Sequence, residues 1–308
     1  FKGSFNFITS ITISLGTLFA AFTQVGASLF ISDKTNNWHH PFFVLSITGF
    51  ILLVGLMLSK NKNKNKNKNK NNILEKENNY FFKKIFKLII NPGILLNGII
   101  GGLLYLPSSI LADTWGINFF ETKANISRSE GAIVIMSLFL GWAIGSLLIG
   151  IINKNSDDQK NKTLVQVLGA LAIISIILII YAPVYNYYLI SILALIFGIG
   201  SSAQILVWCD FNNRDIDSQD TGLAISIVNM IIIGISSVGQ IVMGAIINES
   251  NLYFKVAANS SGISSLKSYY SSFTIIPIMI LTGIIIASYF FTNKNPNINL
   301  NKDISTQP

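Results

Sequence analysis

Charge is scarce in this sequence. Asp, Glu, Lys and Arg together make up 12% of 308 residues, about half the roughly 25% of an ordinary soluble domain. So little charge cannot solvate a soluble surface of this size, which excludes a soluble globular chain. One Cys and two His leave no disulfide framework and no Cys/His metal cluster, and no cofactor is implied. The alternation of apolar and polar residues that marks a membrane β-strand is missing, which leaves helices as the spanning solution. The net charge of +8 is no footprint for nucleic acid, because ten of the twenty-two basic residues lie in one short stretch.

What is present instead is long apolar sequence, at 51% apolar residues and a mean hydropathy of +0.55. A helix needs about 20 predominantly apolar residues to cross a bilayer. Eight blocks qualify: Phe7–Ile31, Pro41–Ser59, Leu88–Ala112, Gly131–Asn153, Thr163–Pro183, Val184–Cys209, Thr221–Asn248 and Tyr270–Thr292. None of them contains Asp, Glu, Lys, Arg or His. The sequence therefore predicts an all-α polytopic membrane protein of about eight transmembrane helices. The fifth and sixth blocks meet at Ala182–Pro183 and read as an antiparallel hairpin.

Lys and Arg set the orientation. With the N-terminus inside, the inner segments hold Lys2, ten lysines from Lys60 to Lys87, Lys154, Lys160, Lys162, Arg214, Lys294 and Lys302, seventeen in all. The outer segments hold five: Lys34, Lys123, Arg128, Lys255 and Lys267. Both termini are expected in the cytoplasm and the chain in the cell (inner) membrane. Trp38, Trp115, Tyr187, Tyr188 and Tyr270 fall at the outer edge, Trp208 and Tyr289 at the inner edge. The run KNKNKNKNKNKNN from Lys60 to Asn72 cannot bury a core. It divides the chain into residues 1–59 with two spans, a linker over 60–87, a six-helix bundle over 88–292, and a tail over 293–308. The basic-aromatic stretch Tyr80–Lys87 reads as a solvated linker end, or as a contact for anionic lipid.

Several stretches resemble the major facilitator superfamily of transporters. Gly141–Lys162, GWAIGSLLIGIINKNSDDQKNK, is similar to the family's glycine-rich helix ending in a short charged cytoplasmic loop. Gly222–Ile247, GLAISIVNMIIIGISSVGQIVMGAII, resembles the eleventh helix, with Asn-Met early and Gln late. Leu111–Phe120, LADTWGINFF, resembles the end of the seventh, and Trp38 with Phe42 and Phe43 the entry to the sixth. The resemblance makes the eight spans helices five to twelve: a complete second bundle and part of the first. Helices one to four would then be supplied in cis or in trans, and the chain would not transport alone.

The resemblance also implies alternating access, in which two bundles rock about a central site. It implies a gating loop with Gly145, Gly150, Asn153, Lys154 and Asp157, although Asn153 and Lys154 stand where the family usually has Asp and Arg. No Pro lies between Gly16 and Ala27, unlike the fifth helix of many drug antiporters. The cavity helices offer Asn97, Tyr105, Ser108, Ser109 and Asp113 on the third span and Ser201, Ser202 and Gln204 on the sixth. The seventh offers Asn229 and Gln240. Eleven residues are close to three helical turns, so Asn229 and Gln240 share a face. Pro107 removes a backbone donor and can kink its span. Each of these polar residues is either a substrate contact or interhelical glue, and glue is the commoner use.

Other features have plainer readings. Gly98/Gly102 and Gly141/Gly145 let helices approach closely within one chain. Gly198 and Gly200 are expected to lend flexibility, and Trp142 to pack in the core or to stack on a solute. Without acids, bases or metal ligands at depth, an intramembrane enzyme is disfavoured. The composition is also compatible with a channel, or with a non-transporting remnant of a broken gene. The expected function is secondary transport, by symport or uniport, of a small polar organic solute such as an amino acid or sugar. Its partners would be that solute, protons in the case of symport, and the lipid bilayer.

Overall fold

The computed structural model describes residues 5–30, 39–58, 83–153, 158–209, 220–254 and 265–292. These residues are helical nearly throughout, with no strand among them. The helices are α1 (Phe5–Phe30), α2 (His39–Leu58), α3 (residues 83–89), α4 (Pro92–Ser109), α5 (Gly116–Ala124), α6 (Arg128–Ile152), α7 (Asp158–Tyr181) and α8 (Tyr187–Ser201). They continue with α9 (Leu206–Cys209), α10 (Thr221–Tyr253), α11 (Leu266–Phe273) and α12 (Ile275–Thr292). Ile110–Trp115 is a π-helical turn joining α4 to α5, and Ser202–Ile205 a 3-10 turn joining α8 to α9. Seven helical runs are long and apolar enough to cross a membrane; α2 carries a shorter apolar stretch, Phe42–Leu58. The protein is thus a multi-pass, all-α membrane protein.

Short polar residues start these helices where the chain turns. Asn91 accepts hydrogen bonds from the N–H groups of Gly93 and Ile94 at 2.9 and 3.3 Å, with Pro92 in the first turn. Pro there forgoes only a donor that would be orphaned anyway. Ser127 and Glu130 form a reciprocal capping box at the start of α6. The turn before it closes on Asn125, whose φ of 53° is left-handed, a conformation Asn tolerates at a helix end. Asn186 and Ser265 cap α8 and α11 in the same way.

Close packing is set by glycine. A Cβ at Gly98 or Gly102 of α4 would come within 2.7 Å of Ile231 or Ile235 of α10. Gly141 of α6 lies against the Leu195 carbonyl of α8, and Gly198 of α8 against the Leu138 carbonyl of α6. Gly198 and Gly200, expected to lend flexibility, sit at close backbone contacts. Gly200 also touches backbone, at Leu168 and Ala172 of α7, so both glycines are points of closest approach. From α8 the bundle continues through α7 to α12 and back to α4. At one end, Phe119, Tyr269 and Phe273 pack in tilted and edge-to-face contacts at centroid distances of 5.0–5.7 Å, joining α5 to α11.

The structure moves several expected boundaries. The third span does not stop at Ala112: helix continues from Pro92 to Ala124. Asp113 and Lys123 mark its end in the sequence, but Lys123 is only 4% exposed and donates to the carbonyls of Ile179 and Ile180 on α7. A paired ammonium can stay at that depth, so the charge does not end the helix. α10 likewise runs on to Tyr253, and the last span begins at Leu266. The α7–α8 hairpin has a short connection, residues 182–186. Of the linker, residues 60–82 lie outside the described residues, while 83–89 are helical and Lys84 pairs with Asp220 at 2.5 Å. Trp208, expected at a membrane edge, is buried.

Candidate functional site

A cavity of about 670 Å³ lies between α1, α4, α6, α9 and α10, within the roughly 300–1,000 Å³ of small-molecule sites. Helical spacing explains which residues reach it. α1 contributes Thr9, Thr12 and Ile13, then Thr17 and Ala20; α10 contributes Ile225, Ser226, Asn229, Ile232 and Ile233. Steps of three and four residues keep each set on one face. α6 adds Phe139 and Trp142, three apart; the 3-10 turn presents Gln204, and α9 presents Trp208.

Tyr105 and Asp113 enter from one helical run by a less regular route. Eight residues at 3.6 per turn would leave them about a quarter turn apart. The intervening π turn winds wider, with i→i+5 hydrogen bonds, and brings Asp113 back toward the Tyr105 face. Pro107 sits at the end of the preceding helix, and the N–H of Ile110 is shared between the carbonyls of Leu106 and Pro107. The kink signal in the sequence thus appears as a wound-out turn that aims a carboxylate.

The candidate residues divide between cavity and packing. Tyr105, Asp113, Gln204 and Asn229 line the cavity. Neither Gln204 nor Asn229 makes a side-chain hydrogen bond with another described residue. Ser109 and Gln240 are instead in interhelical contact: Ser109 Oγ lies 2.5 Å from Ser236 Oγ and accepts from Gln240 Nε2 at 3.0 Å. Gln240 Oε1 accepts from Thr114 Oγ1 at 2.9 Å. Asn97, Ser108, Ser201 and Ser202 are buried off the cavity. Ser202 donates to the Ile199 carbonyl at 2.6 Å and fills the space beside Gly145.

The expected gating residues show a different construction. Lys154 and Asp157 lie outside the described residues. Gly145 and Gly150 are helix-crossing points; a Cβ at Gly150 would come within 2.6 Å of Ser10. Asn153 ends α6, donates from Nδ2 to Asn161 Oδ1 at 2.5 Å, and accepts from Asn6 Nδ2 on its backbone carbonyl at 2.9 Å. All three asparagines are buried. Neutral amides thus join α1, α6 and α7 at one end.

Sequence reasoning misses α1. Its Asn6, Ser10 and Ser14, each four apart, form a buried stripe against α6, with Ser14 donating to the Ala143 carbonyl at 3.0 Å. Thr9, Thr12 and Thr17 form a second polar stripe toward the cavity. The spacing is present in the sequence, but two interleaved stripes read as general Ser/Thr richness. Trp142 is buried, as expected of a core residue, and it also lines the cavity, with its ring tilted 56° to Tyr105 at 5.6 Å.

An apolar helical bundle surrounding a polar-aromatic cavity agrees with comparison to known families. The family model described as Major Facilitator Superfamily matches residues 2–239, well over half of the chain. No curated protein matches it. The resemblance drawn from Gly141–Lys162, Gly222–Ile247 and Leu111–Phe120 is confirmed at the level of the family, and the chain belongs to the major facilitator superfamily, a family of membrane transporters.

Proposed function

We propose that the protein carries a small polar organic solute across the membrane by alternating access, with the cavity between α1 and the bundle of residues 88–292 as the solute site. The observation that carries this reading is the convergence of unpaired amides, hydroxyls and aromatic rings on one space inside the bundle. A buried amide in an apolar interior needs a partner; Gln204 is buried with none among the described residues, and the exposed amide of Asn229 faces the same space. In this scheme residues 1–59 belong to the opposing bundle, residues 60–87 link the two, and residues 293–308 form a tail. The Asn6–Asn153–Asn161 amides act as the latch at one end of the cavity, and Lys154 and Asp157 belong to the same gating loop in the sequence. The bias of Lys and Arg supports cytoplasmic termini in the cell membrane.

The test is uptake by cells expressing the natural coding region, across a panel of amino acids, sugars and amines. Saturable uptake is expected for one of these classes. The Gln204→Ala/Asn229→Ala double variant should lower that uptake about tenfold or more at equal surface abundance, each lost contact being worth about 1 kcal/mol or more. No saturable uptake above background for any class would refute the reading.

A further inference from the structure

The walls of the cavity carry a consistent chemical bias. Among its described lining residues Asp113 has the only formal charge. The next cation along the same helical run, Lys123, is held on α7 by the Ile179 and Ile180 carbonyls and does not line the cavity. Four aromatic residues, Tyr105, Phe139, Trp142 and Trp208, form part of the wall. The hydroxyls add to the bias. Thr12 donates to the Ile8 carbonyl at 2.9 Å, Thr17 to the Ile13 carbonyl at 3.1 Å, and Ser226 to the Gly222 carbonyl at 2.9 Å. A hydroxyl whose proton is so engaged presents lone pairs to its surroundings. The cavity thus offers one carboxylate, aromatic faces and acceptor oxygens, with no opposing cation among the described lining residues.

We propose that the cavity recognises a small organic monocation, an alkylammonium or quaternary ammonium solute, with Asp113 as counter-charge and the four aromatic rings as its wall. This rests on the reading of the cavity as a solute site and names the class of solute. An ionised carboxylate on a membrane-spanning helix draws a counter-charge; Asp113 is exposed toward the open cavity, where a solute can supply one, and aromatic faces attract cations desolvated beside them. A carboxylate-bearing or phosphorylated solute would meet Asp113 without any lining cation to offset it. An uncharged sugar would leave that carboxylate uncompensated.

The experiment compares matched probes on the purified natural protein in lipid nanodiscs. The first pair is choline and its uncharged isostere, with carbon in place of the quaternary nitrogen; the second is butylammonium and pentanol. Binding is read by calorimetry and by indole fluorescence. At least one cation is expected to bind about tenfold or more tighter than its neutral match. Asp113→Asn should remove that preference and Asp113→Glu retain it, with melting temperature and elution volume reporting that each variant is folded. Trp142→Leu should weaken the cation by about threefold or more relative to its neutral match. Equal binding within both pairs, binding of neither member, or a preference that survives in folded Asp113→Asn would overturn the proposal. Should Asp113→Asn not fold, the Trp142→Leu contrast decides alone. Saturable uptake of a sugar with no cation preference would sink this inference and leave the transport reading standing. Asp113-dependent cation binding without uptake would do the reverse.

Discussion

Asn229 and Gln240 sit eleven residues apart on one face of α10, yet they do different work. Asn229 faces a cavity and makes no side-chain hydrogen bond to a described residue. Gln240 is held from both ends of its amide, by Thr114 and Ser109. The difference originates on the opposing helix. Alongside Gln240, Ser109 at the end of α4 and Thr114 of the π turn lie within hydrogen-bond reach. Alongside Asn229, the wall opposite is Tyr105 and the first helix, and space intervenes. A polar residue in an apolar helix is therefore assigned its role by its neighbour, and its position on the face does not decide it.

The largest expected effect comes from removing the frame that separates the two sites. Gly198 lies directly against the Leu138 carbonyl and the Trp142 amide, and Trp142 is part of the cavity wall. Backbone cannot yield as a flexible side chain does. Gly198→Leu should abolish folded protein, read as loss of the monodisperse peak in detergent. A folded, solute-binding Gly198→Leu protein would show that α6 and α8 are not packed backbone to backbone.

Lys123 extends the Gln240 type of contact to a charged group. Its ammonium donates to the Ile179 and Ile180 carbonyls and lies 5.9 Å from the Phe119 ring centre. Lys123→Met keeps the length and removes the donors. Hydrogen bonds of a charged group are worth about 1.5–3 kcal/mol, so the melting temperature should drop clearly while solute specificity is kept. Unchanged stability would mean that the ammonium is solvated instead.

Truncating each of the two amides in turn is a more direct trial of the comparison. Asn229→Ala should reduce uptake several-fold with the melting temperature unchanged. Gln240→Ala should do the opposite, costing about 1 kcal/mol of stability, as intramembrane side-chain hydrogen bonds do, with uptake per folded molecule preserved. If both variants alter abundance alone, Asn229 is glue as well.

Much of the fold is legible in the sequence, because a bilayer leaves a chain few choices. Apolar length locates all eight helical segments, and glycine spacing marks Gly98/Gly102 and Gly141/Gly145 as close contacts within the chain without naming their partners, α10 and α8. The misses share one physical cause. Charge reads as a stop signal at Asp113 and Lys123, although a carboxylate facing a cavity and an ammonium capping another helix both extend a span. Site residues are legible one at a time, as at Tyr105, Asp113, Gln204 and Asn229. Their separation from Ser109 and Gln240 is not, because it depends on a π turn that leaves no single-residue mark. Nor does spacing alone reveal that Asn153 enters a buried amide contact with Asn6 and Asn161.

That amide contact yields the smallest expected effect. Asn153 holds α1 through its own backbone carbonyl and α7 through its side chain. Asn153→Ala removes only the second bond, and the Asn6 amide keeps its acceptor. The loss should be about 0.6 kcal/mol, the average for an intramembrane side-chain hydrogen bond, hardly visible in melting. It should be visible in accessibility, because a small cost at a helix end raises the population of opened ends more than it unfolds the bundle. With Cys209 replaced by Ser and a cysteine placed at the buried Val165, one turn along α7 from Asn161, Asn153→Ala should raise the rate of maleimide labelling about two- to threefold, the factor that 0.6 kcal/mol supplies. Asn153→Asp restores an acceptor that pairs with an amide donor at position 161, so in an otherwise native chain it should melt closer to the parent than Asn153→Ala does. If labelling is unaffected by Asn153→Ala, the three asparagines are packed in place by their neighbours and the amide bonds do not hold that end closed.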